Sequence, residues 1–406
     1  MTVFVTDELP RPGSAGHLAF NHAIISWLVT QGHRPHILLT GKRLAWPVMR
    51  YGAIPLAGPH IQQIGPYVTA ISPTTAGPIL ARAALRALPA SMAQRLRRAR
   101  HQADAVLGGF LTPADLRWCA RAIARLKPQA VLIDTIFRAP LLAEPELAGC
   151  NGIIITHDLF HRRAQVLSAA GYQVRPGGLT RAREAELLSR ARAIAAIQPD
   201  EAAEFRQMCP GQTVFTTPMP ALPCPRPSHI QPTPGRLAFI GSATLPNLDG
   251  LRWFFAEIWP QLAPQGVTLD LVGTCGLALH HLPPGVRVLG RVPSLAPILH
   301  RATLAIAPLR AGSGLKIKLL DYARHGLFTI ATPPSLQGFA PTPSSPFIIA
   351  GSANMFAQAV LRHIESPPRA ETALAYVAQH YSLERAFAGL RAALTPDEHC
   401  LFERSL

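Results

Sequence analysis

The chain is short of lysine, of charge, of aromatic residues and of long apolar runs, and each shortage excludes something. Of its 39 basic residues only four are lysine, namely Lys42, Lys127, Lys316 and Lys318. Charged residues make up 15% and aromatic residues 7%, and no dense basic block is interleaved with aromatics, so no nucleic-acid partner is expected. No apolar run reaches the roughly 18 residues of a membrane span. The cysteines Cys119, Cys150, Cys209, Cys224, Cys275 and Cys400 contain no Cys-x-x-Cys pair and have no histidine at ligand spacing. They read as buried thiols in a reducing compartment. His280-His281 and the other histidines lack a third ligand at metal spacing, so no metal site is expected. Asp7 and Glu8, straight after a short strand, are wrong for a signal peptide. The expected location is the cytoplasm, with peripheral attachment at the inner face of a membrane left open.

What is present is apolar bulk and positive charge. With 406 residues, 48% of them hydrophobic, the chain can build two or three cores. A formal net charge of +16 favours anionic partners, whether nucleotide sugars, phospholipid surfaces or nucleic acid. The densest cluster, Arg95, Arg97, Arg98 and Arg100, reads as a solvated helix face and also fits attachment to an anionic leaflet.

Short apolar runs alternate with helical segments, the pattern of parallel sheets covered on both faces. In the first half these runs are Val3–Thr6, His36–Thr40, Ala130–Asp134, Gly152–Thr156 and Ala193–Ile197. In the second they are Leu237–Ile240, Leu269–Val272, Val286–Leu289, Leu304–Ala307, Phe328–Ala331 and Phe347–Ala350. The expectation is an α/β protein of two Rossmann-like, doubly wound domains facing across a cleft, comprising residues 1–217 and 236–406. The proline-rich segment 218–235 between them reads as a linker, because no helix or central strand tolerates that proline density. The tail from Ser382 to Leu394 reads as a helix able to pack back on the first domain.

The segment Pro308–Asp321 carries the chemistry. A strand runs into the turn Gly312-Ser313-Gly314-Leu315, then Lys316 and Lys318, then Asp321 inside a helix. Such a turn frees backbone N–H groups at a helix N-terminus, where a diphosphate is favoured. The lysines add full positive charge, and Asp321 is an acceptor suited to ribose hydroxyls. The plain alternative is a Lys318–Asp321 surface pair at i,i+3. Gly241 and Ser242 end another strand where a phosphate can approach, and Arg291 and Val292 follow a strand whose main chain can hold a base. In both places an ordinary strand end is the competing explanation. In the first half, Gly13 and Gly16 follow the first strand, and His157 and Asp158 end a buried one. A capping aspartate beside a structurally satisfied histidine is an equally good account of that last pair.

The run from Phe239 through Phe339, with Ile-Gly-Ser, Pro-Asn-Leu-Asp-Gly-Leu-Arg-Trp-Phe, Val-Leu-Gly-Arg-Val and Ala-Pro-Leu-Arg-Ala-Gly-Ser-Gly-Leu-Lys-Ile-Lys-Leu-Leu-Asp, resembles the donor domain of GT-B, family 4 retaining glycosyltransferases. The resemblance implies that Lys316 and Lys318 face the diphosphate, Asp321 holds the ribose and the Gly312–Gly314 turn cradles phosphate and sugar. It also implies that Gly13 and Gly16 approach donor phosphate and acceptor, and that His157 contacts the donor sugar. The chain departs from the family in three places. Ser313 stands where many members have glutamate, Asp321 is shorter than the usual glutamate, and Ser242 replaces a frequent arginine.

The function so implied is metal-independent transfer from a nucleoside-diphosphate sugar to a glycan or lipid-linked acceptor in polysaccharide biosynthesis, with no cofactor. His157, Lys316 and Lys318 are the catalytic candidates. A sugar-nucleotide epimerase or hydrolase on the same fold, or a non-catalytic glycan- or nucleotide-sugar-binding scaffold, are the alternatives.

Overall fold

The structure, a computed structural model, describes residues 1–11, 16–41, 44, 46–71, 73–87, 104–169, 171–311, 315–339 and 342–395. The chain forms two compact units, Met1–Thr217 with the segment beginning at Phe387, and Pro218–Ala386. The basic cluster at 95–100 lies outside the described residues.

The first unit is built on a seven-stranded parallel sheet. Its spatial order is Thr213–Thr216, Ala193–Ala196, Gly152–Ile155, Ala130–Asp134, Thr2–Thr6, Pro35–Leu39 and Leu56–Ala57. Strands such as Ala130–Asp134 and Gly152–Ile155 are buried along their whole length. That is why they read as continuous apolar runs rather than alternating ones. Thr2–Thr6 pairs with Pro35–Leu39 on one side and Ala130–Asp134 on the other, so the strand order reverses there. Ligands of open α/β sheets bind beyond the carboxyl ends at such a reversal, which places Thr6 and Asp134 at its mouth.

The second unit repeats the scheme with six parallel strands, in the order Val286–Gly290, Thr268–Val272, Arg236–Ile240, Leu304–Ala307, Thr329–Ala331 and Phe347–Ile349. Its reversal falls between Arg236–Ile240 and Leu304–Ala307. The carboxyl ends there lead into Gly241 and Pro308, the starts of two of the sequence motifs.

All the strands expected from apolar runs form, with ends shifted by a residue at most. Within the seven-stranded sheet, Leu56–Ala57 and Thr213–Thr216 were not anticipated. The first has only two residues, and the second is polar at both ends and exposed or half-buried throughout. Residues 218–235 pack as part of the second unit, with Ala221 N donating to Tyr381 O at 2.8 Å and Thr233 N to Arg301 O at 2.9 Å.

The expected single tail helix is two helices, Leu383–Ala386 and Ala388–Leu394, broken at Phe387. The Phe387 ring lies 4.9 Å from that of Trp27, centroid to centroid. Gly389 sits so close to Phe215 that a Cβ there would stand 2.5 Å from the ring. These contacts fasten the last helix to the first unit and account for the break. Among the described residues no helix is long and apolar enough to cross a membrane.

Candidate active site

In the second unit the backbone approach at Gly241 is enforced by packing. Gly241 O accepts from Cys275 N at 3.1 Å, and Gly241 N donates to Val272 O at 2.9 Å. Gly273 has φ +96°, and a Cβ on it would lie 2.3 Å from Gly241 O, so neither the conformation nor the space admits a side chain. Gly250 is held as tightly, since its Cβ would meet Pro308 O at 2.5 Å. Asn247 braces the loop: its Nδ2 donates to Ser242 O at 2.9 Å and to Thr244 Oγ1 at 3.1 Å.

Lys318 rises from the helix Ile317–Arg324 into this bracing. Its Nζ donates to Asn247 Oδ1 at 2.6 Å and stands 4.2 Å from the centroid of the Phe239 ring. Among the described residues no carboxylate pairs with it. Burial pushes the ammonium down to about 7, against the opposing effect of Cys275 and with a smaller contribution from the charge of Lys316 in the same direction. Burial likewise raises the Cys275 thiol. The same helix carries Tyr322, wholly buried, whose hydroxyl accepts from Ile240 N at 2.7 Å and locks the helix to the strand that ends in Gly241.

Asp321 lies one turn beyond Lys318, and burial pushes its carboxyl up to about 6 against the pull of Arg324. Arg324 Nη1 is 4.0 Å away, so the Asp321 carboxylate keeps acceptor capacity. Lys318 and Asp321 therefore do not form the i,i+3 pair that offered the plainer account. Lys316 and Leu315 are half-buried just before the helix, which has no side-chain N-cap. Val292 is half-buried and Arg291 exposed, following the positive-φ Gly290 at the end of its strand. Gly312, Ser313 and Gly314 lie outside the described residues. A separate apolar hollow of about 270 Å³, lined by Pro333, Leu336, Phe339 and Phe347 among others, offers no charged side chain to an anion.

In the first unit a buried carboxylate and a half-buried imidazole form a pair at the sheet reversal. Asp134 accepts from Thr6 Oγ1 at 2.6 Å, and its other oxygen lies 2.7 Å from His157 Nε2. Burial alone pushes the Asp134 carboxyl up. The hydrogen bond and charge of His157, the Arg138 guanidinium and the Thr6 hydroxyl outweigh it and hold the carboxyl well below the usual range. With Nε2 donating to the carboxylate, His157 Nδ1 is left buried without a partner among the described residues.

The His157 ring stands edge-on to Phe20 at 5.7 Å and to His17 at 6.0 Å. His17 is itself lowered by burial and by His157, with Asp134, Glu8 and Asp7 opposing. Next to Asp134, Thr135 has φ 65° and ψ 164°, a strained conformation for a β-branched residue. Arg138 holds it there, donating to Thr135 Oγ1 at 2.8 Å and pairing with Asp7 at 2.8 Å. Asp158 is buried and accepts from Arg163 Nη1 at 3.1 Å. Gly16 opens the helix Gly16–Thr30, and Gly13 lies outside the described residues.

Sequence reasoning missed Asp134, Asn247 and Tyr322. Asp134 had a usable signal, as a lone carboxylate closing a buried strand. Asn247 and Tyr322 sit inside helical runs where nothing in the spacing sets them apart.

Two parallel sheets, of seven and six strands in separate units and each with polar groups at its reversal, give the fold class, which is GT-B. Residues 234–366 match the family model described as glycosyl transferases group 1. No curated protein matches the chain in sequence. Among solved structures it resembles sucrose-phosphate synthase of Thermosynechococcus elongatus, at 13% identity and TM-score 0.66, over 99% of each chain. It also resembles HepE of Anabaena in complex with UDP, at 12% identity and TM-score 0.60, over 97% of this chain and 99% of that one. With TarM of S. aureus the figures are 12% and 0.54, over 70% of this chain and 58% of that one.

Proposed function

We propose that the protein is a metal-independent, retaining glycosyltransferase of the family 4 type. It would move a sugar from a nucleoside-diphosphate sugar to a hydroxyl of a cell-surface glycan or lipid-linked acceptor. The observation that carries this reading is Lys318, a half-buried ammonium satisfied by an amide oxygen and an aromatic face and matched by no carboxylate among the described residues. Such a cation is poised for a polyanion. The HepE complex with UDP, on the same fold, supports a nucleotide as that anion.

In this reading Lys316 and Lys318 take up the charge that develops on the leaving diphosphate as the bond from the anomeric carbon to the phosphate oxygen breaks. The acceptor oxygen bonds the anomeric carbon from the face the diphosphate leaves, and its proton passes to a phosphate oxygen. Asp321 accepts from the ribose hydroxyls. His157, fixed through Nε2 by Asp134, turns Nδ1 to a hydroxyl of the donor sugar. Attachment to an anionic membrane through the net positive charge belongs to the same proposal.

A thermal-shift panel of nucleoside diphosphates and nucleotide sugars identifies the donor, because a ligand of the folded state raises its melting temperature. Lys316→Ala combined with Lys318→Ala should then abolish that shift and the transfer. Turnover near wild type in the double variant would refute the assignment, and rapid sugar release without acceptor would point to a hydrolase.

A further inference from the structure

We propose that Cys224, His300 and His325 form a site for a thiolate-binding transition-metal ion, zinc(II) foremost, that clips the proline-rich segment to the helix carrying Lys318. One ligand atom from each of the three lies within 4.8 Å of the others. Both imidazoles are buried, and the thiol-bearing residue is half-buried. Tetrahedral zinc holds nitrogen and sulfur ligands about 3.3–3.8 Å apart, so small side-chain rotations close the set.

The second nitrogen of each ring is already anchored on a carbonyl. His325 Nδ1 donates to Asp321 O at 2.7 Å, and His300 Nε2 donates to Cys224 O at 3.0 Å. That leaves lone pairs on His325 Nε2 and His300 Nδ1. Metal-bound histidines have this same arrangement, in which the outer hydrogen bond fixes the tautomer and aims the ring. A thiol and two oriented imidazoles make a borderline-soft donor set that suits zinc rather than magnesium or calcium. The fourth position is left to water, and binding releases the thiol proton to solvent.

The three ligands come from separate segments. Cys224 sits in the proline-rich stretch, His300 follows the helix Ala296–Leu299, and His325 follows the helix Ile317–Arg324. The sequence therefore shows no ligand spacing. The segment around Cys224 has no regular secondary structure, and Cys224 N already donates to Arg324 O at 2.6 Å. An ion here would add a covalent-strength tie at that point and fix the carboxyl end of the helix whose first turn presents Lys318. The role is structural, and it holds whether or not the protein transfers sugars.

The test uses the tag-free full chain, stripped with a chelator and then titrated with zinc(II) against a competing indicator. Cobalt(II) provides a parallel spectroscopic probe. The expected result is one tightly held ion per chain, a rise in melting temperature on adding zinc, and a thiolate-to-cobalt charge-transfer band. Cys224→Ser should weaken zinc binding by about 10-fold or more and remove the band, while Cys150→Ser should change neither. Cys224→Ser alters one half-buried loop atom, and the cobalt band is read on the wild-type chain, so the answer does not rest on a destabilised variant. Absence of stoichiometric binding, or binding that survives Cys224→Ser, overturns the proposal.

Discussion

The Lys318 ammonium donates to Asn247 Oδ1 at 2.6 Å, and this neutral amide stands where an ion pair would place a carboxylate. The asparagine in turn braces the Ser242 carbonyl, so one side chain links the cation to the loop at Gly241. The arrangement costs the folded state something and leaves the charge available to a ligand.

That cost is measurable. The folded-state value of Lys318, about 7, lies below the roughly 10.4 of an unfolded lysine. Between these values the unfolded chain holds a proton that the folded chain lacks. The group therefore makes stability rise with pH across that window, and at pH 7 and below it is a liability. Lys318→Met keeps the length without the charge and should stabilise the ligand-free protein by about 1–2 kcal/mol at pH 7, allowing for solvent relaxation and for the amide left without its donor. The gain should fade towards pH 10. Urea unfolding at both pH values checks this, and a destabilised variant at pH 7 would count against it.

Nucleotide binding should show the opposite face of the same titration. In the proposed function a nucleoside diphosphate such as UDP takes the charged lysine, so above pH 7 each binding event must first recover a proton. The dissociation constant should climb by up to about tenfold per pH unit from 7 upwards. Lys318→Met should bind weakly and without that slope. Calorimetry between pH 6 and 9 in buffers of differing ionisation enthalpy would show both the slope and the proton uptake.

Gly273 offers a test of the loop. A methyl there would be driven into Gly241 O from a backbone at φ +96°, so Gly273→Ala should destabilise the second unit by about 2–4 kcal/mol. The loop at Gly241 should shift with it, weakening UDP binding even where the unit stays folded at low temperature. A variant with wild-type stability and affinity would show that the close approach does not govern the site.

How much of this was legible beforehand depended on the range of the interaction. The strands around Ile133, Ile154 and Ile306 are buried on both faces, so their residues are apolar without interruption and their positions could be read directly. Lys318 and Asp321 were conspicuous through the rarity of lysine and their place after a glycine turn. Their surroundings were not, because Asn247 reaches Lys318 from 71 residues away and nothing local marks it. His157 could be singled out at the end of its strand, whereas its partner Asp134 enters from a neighbouring strand 23 residues earlier. Pairing of that kind is created by sheet order, which the individual runs do not encode. The broken tail helix follows the same rule, since Phe387 at the break packs on Trp27, 360 residues earlier in the chain.

Asp134 separates the contributions of the two units. Its carboxyl is held well below the ordinary range, so its stabilising effect is complete above the unfolded value near 3.9 and is lost as pH falls towards the folded one. Asp134→Asn keeps the shape but removes the charge that faces His157 and Arg138. The variant should lose stability at pH 7, and the acid limb of its stability profile should flatten relative to wild type. Because UDP contacts are assigned to the second unit, its dissociation constant for UDP should stay within about twofold. Turnover should fall by about 100-fold, since His157 loses the charged partner that fixes its Nε2 and so the aim of Nδ1 at the sugar. Measuring kcat beside UDP affinity distinguishes this from general unfolding, which would lower both. Unchanged kcat in a folded Asp134→Asn protein would remove the Asp134–His157 pair from the mechanism.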